Sequence, residues 1–211
     1  MLTLYYAPGA CSMASHITLE ESGVPYETKM LAMAKQEQRS ETYLKLNPRG
    51  KVPALDVDGT ILTENLAILT YLALTNPTKK LLPDDPFQRA KCLSHMAYLG
   101  NTVHPAFTHF VRPERFTEDA NAAPATKAMG KKTFWGLLGE IDGLLAGKDW
   151  VMGSQFTVAD PYTLVFYGWG VRAELPVGDL KNYTAFKNRM VQRPAVRKVL
   201  EREQSPLLQA A

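Results

Sequence analysis

The chain has 211 residues, 45% of them hydrophobic and 21% charged, with a formal charge of +3, a balance typical of globular proteins that excludes a largely disordered chain. With no dense Lys/Arg run, no basic-aromatic interleaving and no apolar run as long as a membrane span, neither a nucleic-acid partner nor a membrane anchor is expected. Two cysteines, Cys11 and Cys92, supply neither a disulfide framework nor a metal-ligand set, so the expectation is a metal-free protein of the reducing cytoplasm.

Leu2–Tyr6 is predicted as a first strand, closed by the loop Ala7-Pro8-Gly9-Ala10. A helix then begins near Cys11-Ser12, with Met13, Ile17 and Glu20-Glu21 spaced for an amphipathic face and Gly23 and Pro25 as its stop. Tyr26–Met30 is a second strand candidate, and strand, helix, strand at this spacing is a parallel βαβ unit. A polar loop over 34–40 and a short helix over Glu41–Leu46 lead into the most informative stretch, 47–65.

Pro48 pushes Asn47 toward extended backbone, and Gly50 tolerates a positive φ. Residues 54–57 and 60–62 are β-capable runs split by Asp58-Gly59, the two-residue turn whose twist suits a hairpin. Pro53 opens the first of these without an N–H, which leaves Val52 as an unpaired strand edge where an extended peptide can dock; an X-Pro bond also admits the cis form at low cost. Thr63 is placed to cap a helix whose first turn holds Glu64 and Asn65. Such a helix start attracts a carboxylate, and Glu64 beside it an ammonium, although cap and first-turn acid alone would explain both residues.

Together these elements predict a mixed four-stranded sheet flanked by helices over 1–79, a linker over 80–86, and an all-helical region over 87–211. Helices are expected at 87–110, Ala123–Leu145, 158–169, 180–192 and 195–203. Thr157 and Asp160 form a capping box read as structural, and Arg193-Pro194 starts the last helix.

Candidates for chemistry follow from position. Cys11 stands at a loop-to-helix junction, where the helix dipole and free N–H groups favour a thiolate; the alternative is buried filler. A dithiol centre is excluded because Ala14 occupies the second-cysteine position. Ser12 either caps the helix or donates to a bound thiolate, and Tyr5 or Tyr6, ending the first strand, offers a phenol for the same purpose. His104, before Pro105, is expected at a kink facing the cleft between the two regions, while His16, His95 and His109 have no such context. Lys35 and Lys51 flank the Val52 edge, and each could meet a carboxylate.

The motifs Asn47-Pro48-Arg49-Gly50-Lys51-Val52-Pro53 and Phe156-Thr157-Val158-Ala159-Asp160, at this separation, resemble those of the cytosolic glutathione S-transferases. Tyr5-Tyr6-Ala7-Pro8-Gly9-Ala10-Cys11-Ser12 with His16 and His104 is similar to the bacterial beta class in particular. The resemblance implies a thioredoxin-like domain, glutathione as cosubstrate with no permanently bound cofactor, small hydrophobic electrophiles as second substrates, and a homodimer. It further implies that Val52, in a binding site that includes Lys51, Pro53 and Asn101, pairs its backbone with the cysteinyl unit, that Glu64 and Asn65 hold the γ-glutamyl end, that Lys35 faces the glycyl carboxylate, and that Cys11, Ser12 and His104 lie near the sulfur. Phe107, Phe110, Phe116, Tyr162, Phe166 and Trp169 become candidates for an apolar wall. Ala97 and Asn101 depart from the beta-class pattern, which often has Asn and Ser there. Rival readings are a thiol transferase using Cys11 and a non-catalytic protein that keeps the fold.

Overall fold

In the computed structural model, which describes residues 1–209, strands β1 (Leu2–Tyr6), β2 (Tyr26–Met30), β3 (Ala54–Val57) and β4 (Thr60–Thr63) form one sheet in the order β2-β1-β3-β4. Positions 210 and 211 of the expected helical region lie outside the described residues. β1 runs parallel to β2 and antiparallel to β3, with Leu4 opposite Leu55, and β3 runs antiparallel to β4. The hairpin turn is Asp58-Gly59, both at positive φ (51° and 90°), the backbone that matches the strand twist.

Helices α1 (Ser12–Ser22), α2 (Glu41–Leu46) and α3 (Asn65–Thr75) complete this mixed sheet domain. Gly23, at φ 70°, ends α1 by turning its N–H back to Leu19 and Glu20. The expected amphipathic face of α1 is not what forms. Residues from Ser12 to Leu19 are all buried, because α1 packs against α3 on one side and against helices of the second domain on the other. A helix clamped on both sides has little exposed face.

The second domain is helical: α4 (Pro86–Tyr98), α5 (His104–Val111), α6 (Ala123–Leu145), α7 (Ala159–Arg172), α8 (Lys181–Gln192) and α9 (Pro194–Arg202). The helix expected over 87–110 is two helices joined by a π-helical turn, Leu99–Val103. Pro105 has no N–H to give the carbonyl four residues back, that of Asn101, which lies inside this turn, so the irregularity falls on the turn before the proline, as expected. Pro86, placed with the linker by sequence, is the first residue of α4, and the Asp85 carboxylate caps it by accepting from the Gln88 N–H at 2.8 Å. The stretch before it is pinned, since Leu81 and Leu82 are buried and the Leu81 carbonyl accepts from the Val158 N–H.

The capping box forms with a difference. Asp160 accepts from the Thr157 N–H (2.7 Å) as expected, but the Thr157 hydroxyl also donates to Asp160 (3.2 Å), and the other carboxylate oxygen accepts from the Val151 N–H (2.8 Å). Burial pushes this carboxyl up to about 7, while the three donors favour its ionised form.

α9 and its flanks bind the domains together. Arg193 forks onto Glu21 (2.6 and 2.9 Å), and buried Glu203 accepts from His16 Nδ1 at 2.8 Å. Because a carboxylate only accepts and a guanidinium only donates, the His16 proton sits on Nδ1 and Nε2 accepts from Arg202 at 3.2 Å. His16, without assigned context in the sequence, is therefore a buried link between α1 and the C-terminal helix.

Candidate active site

The Val52 edge is built from behind. Tyr43 on α2 donates its hydroxyl to the Lys51 carbonyl at 2.7 Å, and the Asn47 side chain donates to the same oxygen at 2.8 Å while accepting from the Arg49 N–H. Gly50 takes the positive φ (58°) this turn demands; a Cβ there would meet the Gln38 carbonyl at 2.8 Å. Two buried side chains thus hold the peptide just before Val52 and leave Val52 half-buried at the sheet rim, ahead of a cis Val52–Pro53 bond. Neither Tyr43 nor the side-chain role of Asn47 was foreseen; the only local signal was an Asn before Pro.

Cys11 sits at the α1 N-cap position, and its S–H donates to the Val52 carbonyl at 3.5 Å. The expected thiolate is not supported. Burial dominates and pushes the thiol up to about 12, with Glu64 adding to the rise, against the smaller lowering effects of the helix-start backbone, Asn65 and Lys51. Ser12 is a second correction. Its hydroxyl is fully buried, donating to the Ala7 carbonyl (3.2 Å) and accepting from the Ala7 N–H (3.1 Å), so it closes the loop before α1, does not cap the helix, and has its one proton engaged.

The loop's tip is held from the helical domain: the Gly9 N–H donates to Glu203 (3.2 Å), and the Gly9 carbonyl accepts from Trp169 Nε1 (3.0 Å) and from Arg172 (2.6 Å). Tyr5 and Tyr6 point to opposite sides of the sheet, as neighbours on a strand must. Tyr5 packs against Tyr43, and Tyr6 against His16. Burial, with Glu203, raises Tyr6 further from ionisation.

At the start of α3, Thr63 is the last strand residue and Glu64, not Thr63, takes the N-cap position, without a side-chain cap bond. Glu64 has φ 71° and ψ 124°, a conformation that costs a non-glycine residue roughly 1–3 kcal/mol and persists only where its surroundings enforce it. Its carboxylate is exposed beside Arg49 at 3.2 Å, a pair open to exchange with another cation. Asn65 is buried and turned inward, donating to the Cys11 carbonyl (2.9 Å) and accepting from Ser15 (2.7 Å). Its amide thus welds α3 to α1, and what the helix start offers a ligand is the unpaired backbone N–H groups of its first turn.

The helical domain contributes Tyr162 and His104. The Tyr162 phenol is held well above its usual range by burial first, then by the nearby Cys11 and Glu64, with Asn65 opposing, so near neutrality it is a proton donor facing the Cys11 side. His104 packs edge-on against Trp169 (4.8 Å) and is pushed down to about 4 by burial, then by Lys51 and Arg115. Lys51, on the sheet domain, is thus close enough to act on both Cys11 and His104. Lys35 and Asn101 are exposed, and among the described residues neither makes a hydrogen bond or ion pair with this group. Phe166 and Trp169 are core residues with Phe107 stacked on Trp169 at 4.4 Å, and Phe116 is exposed against His109.

Residues 1–74 match the glutathione S-transferase N-terminal domain family and residues 101–194 the corresponding C-terminal domain family. The chain is 36% identical to glutathione S-transferase GstA of Escherichia coli O157:H7 over 205 residues, covering 96% of this chain and 98% of that protein. It belongs to the glutathione S-transferase family. A glutathione transferase homologue from Sulfitobacter, solved with bound glutathione, superposes with TM-score 0.91 at 33% identity over 96% of this chain and 98% of that one. The bacterial beta class glutathione S-transferase of Sphingomonas chungbukensis gives 0.84 at 35% identity over 95% and 98%.

Within this glutathione S-transferase chain the structure gathers Cys11, Lys51, Val52, Pro53, Glu64 and Asn65 from the sheet domain with His104 from the helical one. It turns Ser12 and the Asn65 amide inward, adds Tyr43, Asn47 and Arg49, and brings Tyr162, expected in an apolar wall, to the Cys11 side with its hydroxyl.

Proposed function

We propose that the protein conjugates glutathione through sulfur to small apolar electrophiles, a detoxifying transferase of the cytoplasm. The observation that carries this reading is the meeting, at the end of the sheet where the chain enters β3, of the Val52 carbonyl, the Cys11 thiol that donates to it and the exposed start of α3. Glutathione lies there with its cysteinyl main chain on Val52, its γ-glutamyl carboxylate on the first-turn N–H groups of α3, and its ammonium on Glu64 in place of Arg49. Lys51 takes the glycyl carboxylate, with Lys35 as a second cation for it.

Docking of the cosubstrate displaces the Cys11 S–H from the Val52 carbonyl and turns it toward the incoming sulfur. That donor and the Tyr162 hydroxyl stabilise the thiolate in place of Ser12. The electrophile occupies the His104 side, where a neutral imidazole and the half-buried Phe107 offer an apolar surface. We also assign 1–79 to cosubstrate binding, 80–86 to the connection and the remainder to the electrophile site. Leu74 and Phe87, both exposed on the helices that flank the connection, are the apolar surface we assign to a homodimer contact.

The test is initial-rate conjugation of glutathione with 1-chloro-2,4-dinitrobenzene beside thiol transfer to 2-hydroxyethyl disulfide. Conjugation that is slowed by Cys11→Ala yet persists, with Tyr162 as the remaining donor, supports this reading. Disulfide transfer that alone is active and dies with Cys11→Ala supports the thiol transferase, and saturable glutathione binding with neither activity supports a non-catalytic protein.

A further inference from the structure

A second concavity, of about 330 Å³, lies away from this cleft and shares no lining residue with it. Lys91 and His95 of α4 form one wall, Ile141 and Leu145 of α6 the floor, and Lys148 and Met152 of the α6–α7 connection the other wall. The volume sits at the low end of the roughly 300–1,000 Å³ typical of small-molecule sites, and like them it is apolar with a few polar groups at its margin.

The polar groups are of one sign. Neither Asp nor Glu lines the concavity, and the nearest acids on α6 are engaged elsewhere, Glu140 by the Tyr98 hydroxyl and Asp142 by Asn182 and the Tyr183 N–H. Lys91 and Lys148 are both exposed at the rim, Lys91 with its ammonium over the Phe87 ring at 4.9 Å. His95 adds no charge. The Thr163 hydroxyl gives its proton to the Ala159 carbonyl (2.8 Å), so His95 Nε2–H must donate to Thr163 (2.9 Å), and burial with the neighbouring Lys148 lowers the imidazole to about 4. The neutral ring therefore serves as part of the wall beneath two ammonium groups.

We propose that this concavity is a second ligand site, taking an apolar body that carries one carboxylate, with the body on Ile141, Leu145 and Met152 and the carboxylate between Lys91 and Lys148. Adjacent residues of α7 look toward the two sites, Tyr162 toward Cys11 and Thr163 toward His95, so they are separate compartments on one helix. The inference does not depend on what the first cleft binds.

Calorimetric titration of the full chain with decanoate tests it, with decan-1-ol supplying the body without the charge and acetate the charge without the body. Decanoate is expected to saturate a single site, and Lys91→Glu/Lys148→Glu to weaken it by about tenfold or more. Lys91→Gln/Lys148→Gln is expected to weaken it less, and decan-1-ol and acetate to bind poorly. Lys51→Glu, in the other cleft, is expected to leave decanoate binding unchanged. Unaltered decanoate affinity in both double variants, equal binding of decan-1-ol, loss of binding with Lys51→Glu, or no saturable heat would each overturn the proposal.

Discussion

At Cys11 two local influences oppose each other, and burial outweighs the helix start, so the thiol is pushed up to about 12. Near pH 8 such a group is about one part in ten thousand thiolate, against roughly a quarter for a free cysteine. Iodoacetamide is therefore expected to label Cys11 in the folded protein about a hundredfold or more slowly than in urea, as followed by peptide mass spectrometry. Rapid native labelling would show that burial does not govern this thiol. The position of Cys11 before a helix was legible in sequence, and burial was one of its two readings there, but sequence could not choose between them, because the groups around it, Val52, Asn65 and Tyr162, come from distant segments. His95 and His104 follow a related rule. Both are depressed to about 4 by burial, so each contributes stability that is full above the unfolded value near 6.5 and is lost as pH falls toward 4, on the order of 2 kcal/mol apiece. Urea denaturation at pH 7 and pH 4.5 checks this: His95→Gln/His104→Gln should lose less between the two than the parent.

Elements with a local signal appear where sequence places them. Asp58-Gly59 turns the hairpin, Gly23 stops α1, and Asp160 returns its bond to Thr157 three residues back. The further bond from the Val151 N–H to Asp160 lay beyond local reading, since a loop must fold over the helix to make it. Asp160→Ala would leave the buried Thr157 N–H and the Val151 N–H without an acceptor, and is expected to cost about 3 kcal/mol in urea denaturation; a loss below about 1 kcal/mol would contradict this role. Glu64 marks the limit of local reading in the other direction. No propensity argument assigns φ 71° to a glutamate, and only the joint demands of β4 before it and α3 after it put the residue there. Glu64→Gly is thus expected to relieve strain and raise stability, while weakening glutathione binding through loss of the carboxylate. Thermal denaturation and calorimetry on one variant separate the two effects.

Across the whole molecule, the C-terminal segment reaches back to the site loop. Glu203 accepts from His16 on α1 and from the Gly9 N–H, while Trp169 and Arg172 hold the Gly9 carbonyl. His16 and Glu203 are 187 residues apart in the chain, and no periodicity or motif links them, whereas the division into a sheet region and a helical region was plain from where strand signals stop. Glu203→Gln keeps the shape yet removes the charge, and is expected to lower stability by about 2 kcal/mol and to weaken glutathione binding by loosening the loop that carries Cys11. The most direct trial of glutathione on the Val52 edge is calorimetric titration of the purified chain with glutathione. Saturable binding with a dissociation constant of about 1 mM or tighter is the expected result; no saturable heat at several times that concentration would contradict it.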